Sequence, residues 1–282
     1  MNDAAKEVVQ KEHLATADVF MDALSGRDVR WSESARDWIF RGHADDTWKL
    51  VPTLYRSSDV FREFGLGAID SWWERTAALE TLLEGFLDGL HRAGMVIPAA
   101  TPVLRVRNRI SGGAEPRFEA LPLAALAQHH GLPTTLLDWT RRGWTAAYFA
   151  AFEGAKGVGS SKNHGRVAVW ALSRGDFART SGEEIFYDAP AATNPNLRAQ
   201  DGTFTRCLDP ELLPFEEHLK LPKPDSLRCL TLPTSEAGRL LRLLSLEGVN
   251  GASLFPGVEG VVRLLRERRY WDPKAEPLGA RS

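Results

Sequence analysis

Two short stretches carry most of the structural information in this sequence, Trp38-Ile39-Phe40-Arg41-Gly42-His43 and Gln128-His129-His130-Gly131-Leu132-Pro133-Thr134-Thr135-Leu136-Leu137-Asp138-Trp139-Thr140. The first begins with an aromatic and β-branched run that predicts a strand ended by the glycine. In the second, a Gly–Pro turn ends a helix, and the residues after it predict another strand. Each strand holds one charged residue, and a charge in apolar surroundings is either paired or placed for chemistry.

The rest of the chain alternates between helical and extended patterns. Apolar residues recur at helical spacing in residues 15–24, 69–93, 121–129, 144–152 and 235–246. Strands are predicted at residues 38–40, 134–139, 166–172, 202–207 and 227–232, with a loop at 98–116 and a flexible connection at 154–165. This order predicts an α+β fold, a single compact domain with a mixed or antiparallel sheet and flanking helices.

Composition excludes several classes of function. The 282 residues carry a formal net charge of -2, so no global field draws the protein to nucleic acid or to anionic lipid. Two cysteines without metal-ligand spacing predict no metal site and a reducing compartment. With no signal-like start and no apolar run of membrane length, we expect a cytoplasmic protein without a membrane partner. Zinc clusters, phosphate-binding glycine loops, nucleophile elbows and dinucleotide fingerprints are absent from the sequence.

Arg41 is the first candidate for a binding site, and its position allows two interpretations. It forms a structural ion pair with Asp45, Asp46 or Asp138, or its forked guanidinium holds a pyrophosphate. In the second case Gly42 would let the backbone approach the ligand.

The other polar candidates also leave alternatives open. His129 and His130 are capping or core residues, or one of them faces a pocket. Asp138 bonds Arg41 or a backbone amide, or it serves chemistry. Residues 196–204 predict either a loop or a strand that places four side chains on one face, Arg198, Gln200, Gly202 and Phe204.

These motifs resemble the FRG domain family, named for its Phe-Arg-Gly signature. The signature is Phe40-Arg41-Gly42, and the longer central match runs from Gln128 to Thr140. Ala146-Ala147-Tyr148-Phe149-Ala150 and Leu254-Phe255-Pro256-Gly257-Val258-Glu259-Gly260 extend the resemblance. On this basis residues 31–272 are expected to form the FRG domain, residues 1–30 an N-terminal helical extension, and residues 273–282 a flexible tail.

The order of the motifs is also similar to that in ADP-ribosyltransferases, and it implies a related architecture with NAD as substrate and no metal. The resemblance assigns NAD binding to Arg41, Gly42, His130, Trp139 and Thr140. It places Asp138 in the second strand, where serine is more usual, and Gln200 where the family has a catalytic glutamate. A carboxylate best stabilises the oxocarbenium-like state, and Asp138 or Glu259 could supply it. Together with Gln200, which is a candidate by its position, these are the catalytic candidates.

Three hypotheses follow for the function. The first is an NAD-consuming ADP-ribosyltransferase that modifies a macromolecule, nucleic acid or protein, in the manner of a toxin or phage-defence effector. The second is a non-catalytic module that binds a nucleotide or nucleic acid. The third treats the polar residues as a satisfied internal network with no site. The sequence predicts neither the acceptor nor the oligomeric state.

Overall fold

A seven-stranded sheet organises the protein. The computed structural model describes residues 9, 11–31, 37–57, 59–67, 69–95, 121–158, 165–180, 185–189, 194–207, 209, 211–219 and 221–272. The strands are β1 (Lys11–His13), β2 (Trp38–His43), β3 (Leu136–Thr140), β4 (Arg166–Ser173), β5 (Ile185–Tyr187), β6 (Gly202–Arg206) and β7 (Leu227–Pro233). Their order is β1-β7-β4-β2-β3-β6-β5. β1 and β7 are parallel and the other neighbours are antiparallel, so the sheet is mixed.

Helices cover both faces of this sheet. They are α1 (Ala17–Ala23), α2 (Asp59–Arg62), α3 (Trp72–Arg92), α4 (Leu121–His129), α5 (Gly143–Gly157), α6 (Arg174–Thr180), α7 (Pro195–Gln200), α8 (Phe215–His218), α9 (Ala237–Leu246), α10 (Gly251–Leu254) and α11 (Val258–Arg268). Alternate residues of β4 enter two separate apolar clusters, as the pleat requires. One cluster includes α3 and α4, and the other includes α1, α5 and α9. The α+β prediction is therefore confirmed.

Most predicted elements are confirmed, with boundaries that shift by a few residues. The chief exception is the strand interpretation of residues 196–204, which was wrong for its first half: residues 195–200 form helix α7, and β6 begins at Gly202. The helix predicted at residues 235–246 begins at Ala237, and its N-cap residue Glu236 makes no side-chain capping bond. Neither α7 nor α11 is anticipated by the periodicity analysis.

The N-terminal stretch is more closely joined to the sheet than a helical extension implies. Within residues 1–30, β1 pairs with β7 at the sheet edge, and the predicted helix is present as α1. Residues 98–116 and 273–282, predicted as a loop and a flexible tail, lie outside the described residues, as does most of the predicted connection at 154–165. In the described part of the chain, no helix has the length and apolar character that crossing a bilayer requires.

Candidate functional site

The sheet opens between β2 and β3, next to Arg41. These two strands share one register pair, Phe40 with Thr140. Beyond it, β2 stays paired with β4 as far as His43, whereas β3 stays paired with β6 as far as Leu136. The sheet therefore divides into β1-β7-β4-β2 and β3-β6-β5. Along the opening, the facing backbones of β2 and β3 are not paired with each other.

Arg41 spans this opening. Its Nη1 donates to the carbonyl oxygen of Asp138 at 2.7 Å and lies 3.5 Å from the Asp138 carboxylate. The Arg41 side chain is 14% exposed and that of Asp138 is 59% exposed, so solvent reaches the pair. Of the three acids considered as partners for Arg41, Asp138 is the one in contact, because Asp45 caps the turn at Thr47 and Asp46 pairs with Lys11.

A neutral histidine fixes the orientation of Arg41. Arg41 Nε donates to His43 Nε2 at 3.1 Å, and His43 Nδ1 donates to the Trp48 carbonyl at 3.3 Å. Burial of the ring and, to a smaller extent, the charge of Arg41 lower the pKa of His43 to about 3. With Nε and Nη1 engaged, Nη2 makes no hydrogen bond to the residues that the structure describes.

His43 is expected to make stability depend on pH. Its pKa is about 3 in the folded protein and about 6.5 when unfolded, so between these values only the unfolded chain binds the proton. Stability should therefore fall as pH drops through 6.5, by about 2 kcal/mol at pH 5. Urea unfolding at pH 7.5 and pH 5 should show this loss in the wild type and a much smaller one in His43→Gln.

The exposed His91, at the end of α3, supplies the control for this measurement. His91→Gln should leave the difference between pH 7.5 and pH 5 unchanged. An equal loss of stability in the wild type and in His43→Gln would show that His43 is not the titrating group.

A second arginine, Arg56, interacts electrostatically with Arg41 and Asp138, and its Nε donates to the Val51 carbonyl at 3.1 Å. Partial burial and the charge of Arg41 lower the pKa of Arg56, and the charge of Asp138 raises it. The backbone at this point is held by Arg75 of α3, which donates to the carbonyls of Leu54 and Arg56 at 2.7 Å each. The Asp138 carboxylate therefore lies in the field of two arginine charges, and the excess of positive charge suits an anionic ligand.

His129 and Glu259 approach the same cluster from other elements. Partial burial and the neighbouring His130 lower the pKa of His129, whereas the carboxylates of Asp138 and Glu259 raise it. The side-chain amide of Asn196 in α7 lies 3.2 Å from His129 Nε2. The two histidine rings meet edge to face with centroids 5.2 Å apart, and both residues are exposed. Strand β3, α4, α7 and α11 thus all contribute to the surroundings of Asp138.

Gly42 lies against helix α5, which packs directly on its backbone. A Cβ atom at this position would lie 2.1 Å from the carbonyl oxygen of Ala146 and 2.8 Å from the amide nitrogen of Ala150. Glycine is therefore required because helix α5 packs directly on β2. This packing explains the glycine, and the approach of a ligand to the Gly42 backbone stays a prediction.

The remaining predicted residues, Trp139, Thr140 and Gln200, make internal contacts. Trp139 is buried, and its indole nitrogen donates to Thr205 Oγ1 at 2.9 Å. The buried Thr140 hydroxyl donates to the Gln200 carbonyl at 2.6 Å. Gln200 Nε2 donates to the Leu254 carbonyl at 3.1 Å, which links α7 to α10. Their described hydrogen bonds serve packing between elements.

Sequence reasoning missed three residues that build the cluster: His43, Arg56 and Arg75. His43 could have been inferred, since it follows Arg41 by two residues and shares its face of the strand. For Arg56 and Arg75 no local pattern signals their position. Among the described residues, no group of three or more His, Cys, Asp or Glu side chains is arranged to hold a metal ion.

Two cavities lie away from this cluster. One of about 1080 Å³ is bordered by Trp48, Trp170 and Glu216, and one of about 360 Å³ by Trp31, Phe40 and Arg142. Arg41 and Asp138 line neither of them. The cluster therefore lies outside both cavities, at the division of the sheet, and solvent reaches it at the exposed Asp138 side chain.

Comparison with known proteins gives a single match. No curated protein and no solved structure matches the chain. Residues 36–157, which contain both the Arg41 strand and the Asp138 strand, match the family model described as FRG domain. The predicted resemblance to the FRG domain is therefore confirmed over residues 36–157.

Proposed function

We propose that this protein is an NAD-consuming transferase that moves ADP-ribose to a macromolecule, nucleic acid or protein, in the manner of a toxin or phage-defence effector. The observation that supports it best is the opening of the sheet at Arg41, which contacts an exposed carboxylate while Arg56 adds a second positive charge to its surroundings. Forked guanidinium groups are well suited to a pyrophosphate, and a carboxylate is suited to a developing positive charge.

The residues of this cluster divide the chemistry between them. Arg41 and Arg56 hold the pyrophosphate of NAD. The bond between C1 of the ribose and the nicotinamide nitrogen breaks, and nicotinamide leaves as a neutral molecule with the bonding electron pair. The Asp138 carboxylate stabilises the resulting oxocarbenium-like sugar. A nucleophile of the acceptor then bonds to C1 and loses a proton, which the neutral ring of His129 can accept.

Labelled NAD tests this proposal directly. The full chain is incubated with NAD labelled in the adenylate part, together with separate pools of protein, RNA and DNA, and free nicotinamide is measured. We expect nicotinamide release and label in one pool, which identifies the acceptor class. If NAD neither stabilises the fold nor is cleaved with any pool, the proposal fails.

The two carboxylates near His129 can be distinguished by isosteric substitution. Asp138→Asn is expected to lower nicotinamide release by about 100-fold, because removing one group that stabilises transition-state charge has effects of this size. Glu259→Gln should lower it less than about tenfold, since Glu259 is exposed and acts on the cluster through His129. Initial rates of release at saturating NAD provide the comparison. The reverse order of effects would assign the catalytic role to Glu259.

A binding module without turnover is the second candidate, and the position of Gln200 favours it. The resemblance places this residue where the transferases have their glutamate, and here the Gln200 amide is bonded to the Leu254 carbonyl. A module of this kind would be stabilised by a nucleotide without forming any product. An affinity that falls steeply with salt concentration would indicate a polyanion as the partner.

The proposed setting is the cytoplasm. Both cysteines, Cys207 and Cys229, are buried, and neither belongs to a disulfide. Burial raises the pKa of the Cys229 thiol to about 12, so it stays in its unreactive protonated form. Reduced cysteines agree with a reducing compartment.

A further inference from the structure

Helix α11 exposes its apolar residues and buries its polar ones. Residues on the buried face include Gly260 and Glu267, and Glu267 is fully buried. The opposite face carries an apolar stripe at helical spacing: Val258, Val261, Val262 and Leu265, which are 82%, 51%, 40% and 59% exposed. This is the reverse of an ordinary surface helix, whose apolar stripe faces the core.

Contacts on the inner face prevent α11 from turning to bury this stripe. Glu267 Oε2 accepts a hydrogen bond from the Gly251 amide at 3.1 Å. The guanidinium of Arg263 lies over two rings, 4.7 Å from the centre of Phe152 and 4.1 Å from that of Phe255. A Cβ at Gly260 would lie 1.9 Å from the Phe255 carbonyl oxygen, so only glycine permits this close packing. None of the residues that the structure describes covers the apolar stripe, which leaves it available to a second molecule.

We infer that the stripe is covered by α11 of a second copy of this chain, in an antiparallel pair about a twofold axis. The stripe has the symmetry that such a pair needs, because its outer members, Val258 and Leu265, lie equally far from the midpoint between Val261 and Val262. An axis through that midpoint places Val258 of one copy against Leu265 of the other. A twofold interface is self-complementary in this way.

Charge complementarity selects the antiparallel arrangement. Glu259 and Arg266 are seven residues apart, so they lie on the same flank of the stripe near opposite ends of α11. In an antiparallel pair the same flanks of the two helices adjoin, and Glu259 of each copy meets Arg266 of the other. In a parallel pair, the flank with Glu259 would instead lie against the opposite flank of the other helix. The arginine on that opposite flank, Arg268, lies about nine residues further along the chain than Glu259. The antiparallel pair thus forms two matched ion pairs.

Pairing would also alter the candidate site. Glu259 acts electrostatically on His129, which lies beside Asp138. The second copy therefore brings the guanidinium of Arg266 towards the residues around Asp138, where it adds to the positive charge of Arg41 and Arg56. The dimer itself does not depend on the proposed transferase activity.

A charge exchange tests this inference in the full chain. Sedimentation equilibrium of the wild type should show a dimer with a dissociation constant in the micromolar range, since a contact of this size falls among small interfaces. Glu259→Arg and Arg266→Glu should each weaken it by about tenfold or more, because each substitution opposes like charges at two places. The double variant should recover to within about threefold of the wild type.

Apolar substitutions provide the matched control. Val261→Glu places a charge near the axis and should yield a monomer, whereas Val29→Glu, at another strongly exposed valine, should leave the dimer unchanged. A wild-type chain that remains monomeric at about 300 μM, well above a micromolar dissociation constant, would overturn the inference. The inference would also be overturned if Val261→Glu still formed the dimer, or if the double variant dimerised no more tightly than the single variants.

Discussion

Replacing Arg41 with lysine is expected to lower nicotinamide release from NAD by about 100-fold or more, while the protein stays folded. Lysine keeps the positive charge but lacks the fork, so it cannot bond His43, the Asp138 carbonyl and a phosphate oxygen together. The loss should appear both in turnover and in NAD affinity, because the guanidinium holds the ligand in the ground state as well. Rates of release, NAD titration and thermal unfolding of the same preparations measure the three effects.

The control for this substitution is Arg62→Lys. Arg62 pairs with Asp59 on the surface, where both side chains are well exposed. Ion pairs of that kind contribute at most about 1 kcal/mol, so neither release nor stability should change measurably. If Arg41→Lys lowers the melting temperature but NAD neither stabilises nor is cleaved by the wild type, Arg41 belongs to an internal network without a site.

The sequence was sufficient to identify the two strands that form the site, but not their relation in space. Both strands are bounded by clear signals, the Phe-Arg-Gly run and the Gly–Pro turn, and both are confirmed. Arg41 and Asp138 are 97 residues apart in the chain, and their contact depends on the sheet order that makes β2 and β3 neighbours. No local pattern encodes this adjacency, so Asp45, Asp46 and Asp138 were equally reasonable partners from the sequence.

A helix-start signal lies just before the misassigned residues 196–204. Asn194 caps helix α7 by accepting a hydrogen bond from the Leu197 amide, and Pro195 opens the first turn. Asparagine at the N-cap followed by proline is a typical helix start. Asp201 then ends the helix in a left-handed conformation with φ of 50°. The four alternate residues, Arg198, Gln200, Gly202 and Phe204, lie on both sides of this boundary, so they do not share one face of a strand.

Helix α11 escaped prediction for a physical reason as well. Its apolar residues do follow a helical spacing, but such a stripe is usually assigned to the core, and here it faces solvent. The polar residues that anchor the helix, Arg263 and Glu267, would have been assigned to the surface. Tertiary contacts with Phe152, Phe255 and Gly251 determine the orientation, and those contacts lie outside any local window.

Replacing Gly42 with alanine should give the largest loss of stability of any single change considered. The added methyl would lie 2.1 Å from the Ala146 carbonyl oxygen and 2.8 Å from the Ala150 amide nitrogen, and both are backbone atoms of α5. Helix α5 must then move away from β2, and the packing of the cluster that surrounds Tyr148 and Phe152 must loosen. Overpacking against backbone is expected to lower the free energy of unfolding by about 3 kcal/mol or more.

Gly85 in α3 provides a matched glycine-to-alanine change with the opposite expected sign. Gly85 is exposed, and an added Cβ would have no heavy atom within 4 Å. Alanine favours a helix interior over glycine by about 1 kcal/mol, so Gly85→Ala should raise the free energy of unfolding. Urea denaturation of both variants beside the wild type measures the difference. If Gly42→Ala unfolds at the wild-type urea concentration, α5 does not pack on β2 as closely as described, and the opening at Arg41 would lose the rigid support that this contact gives it.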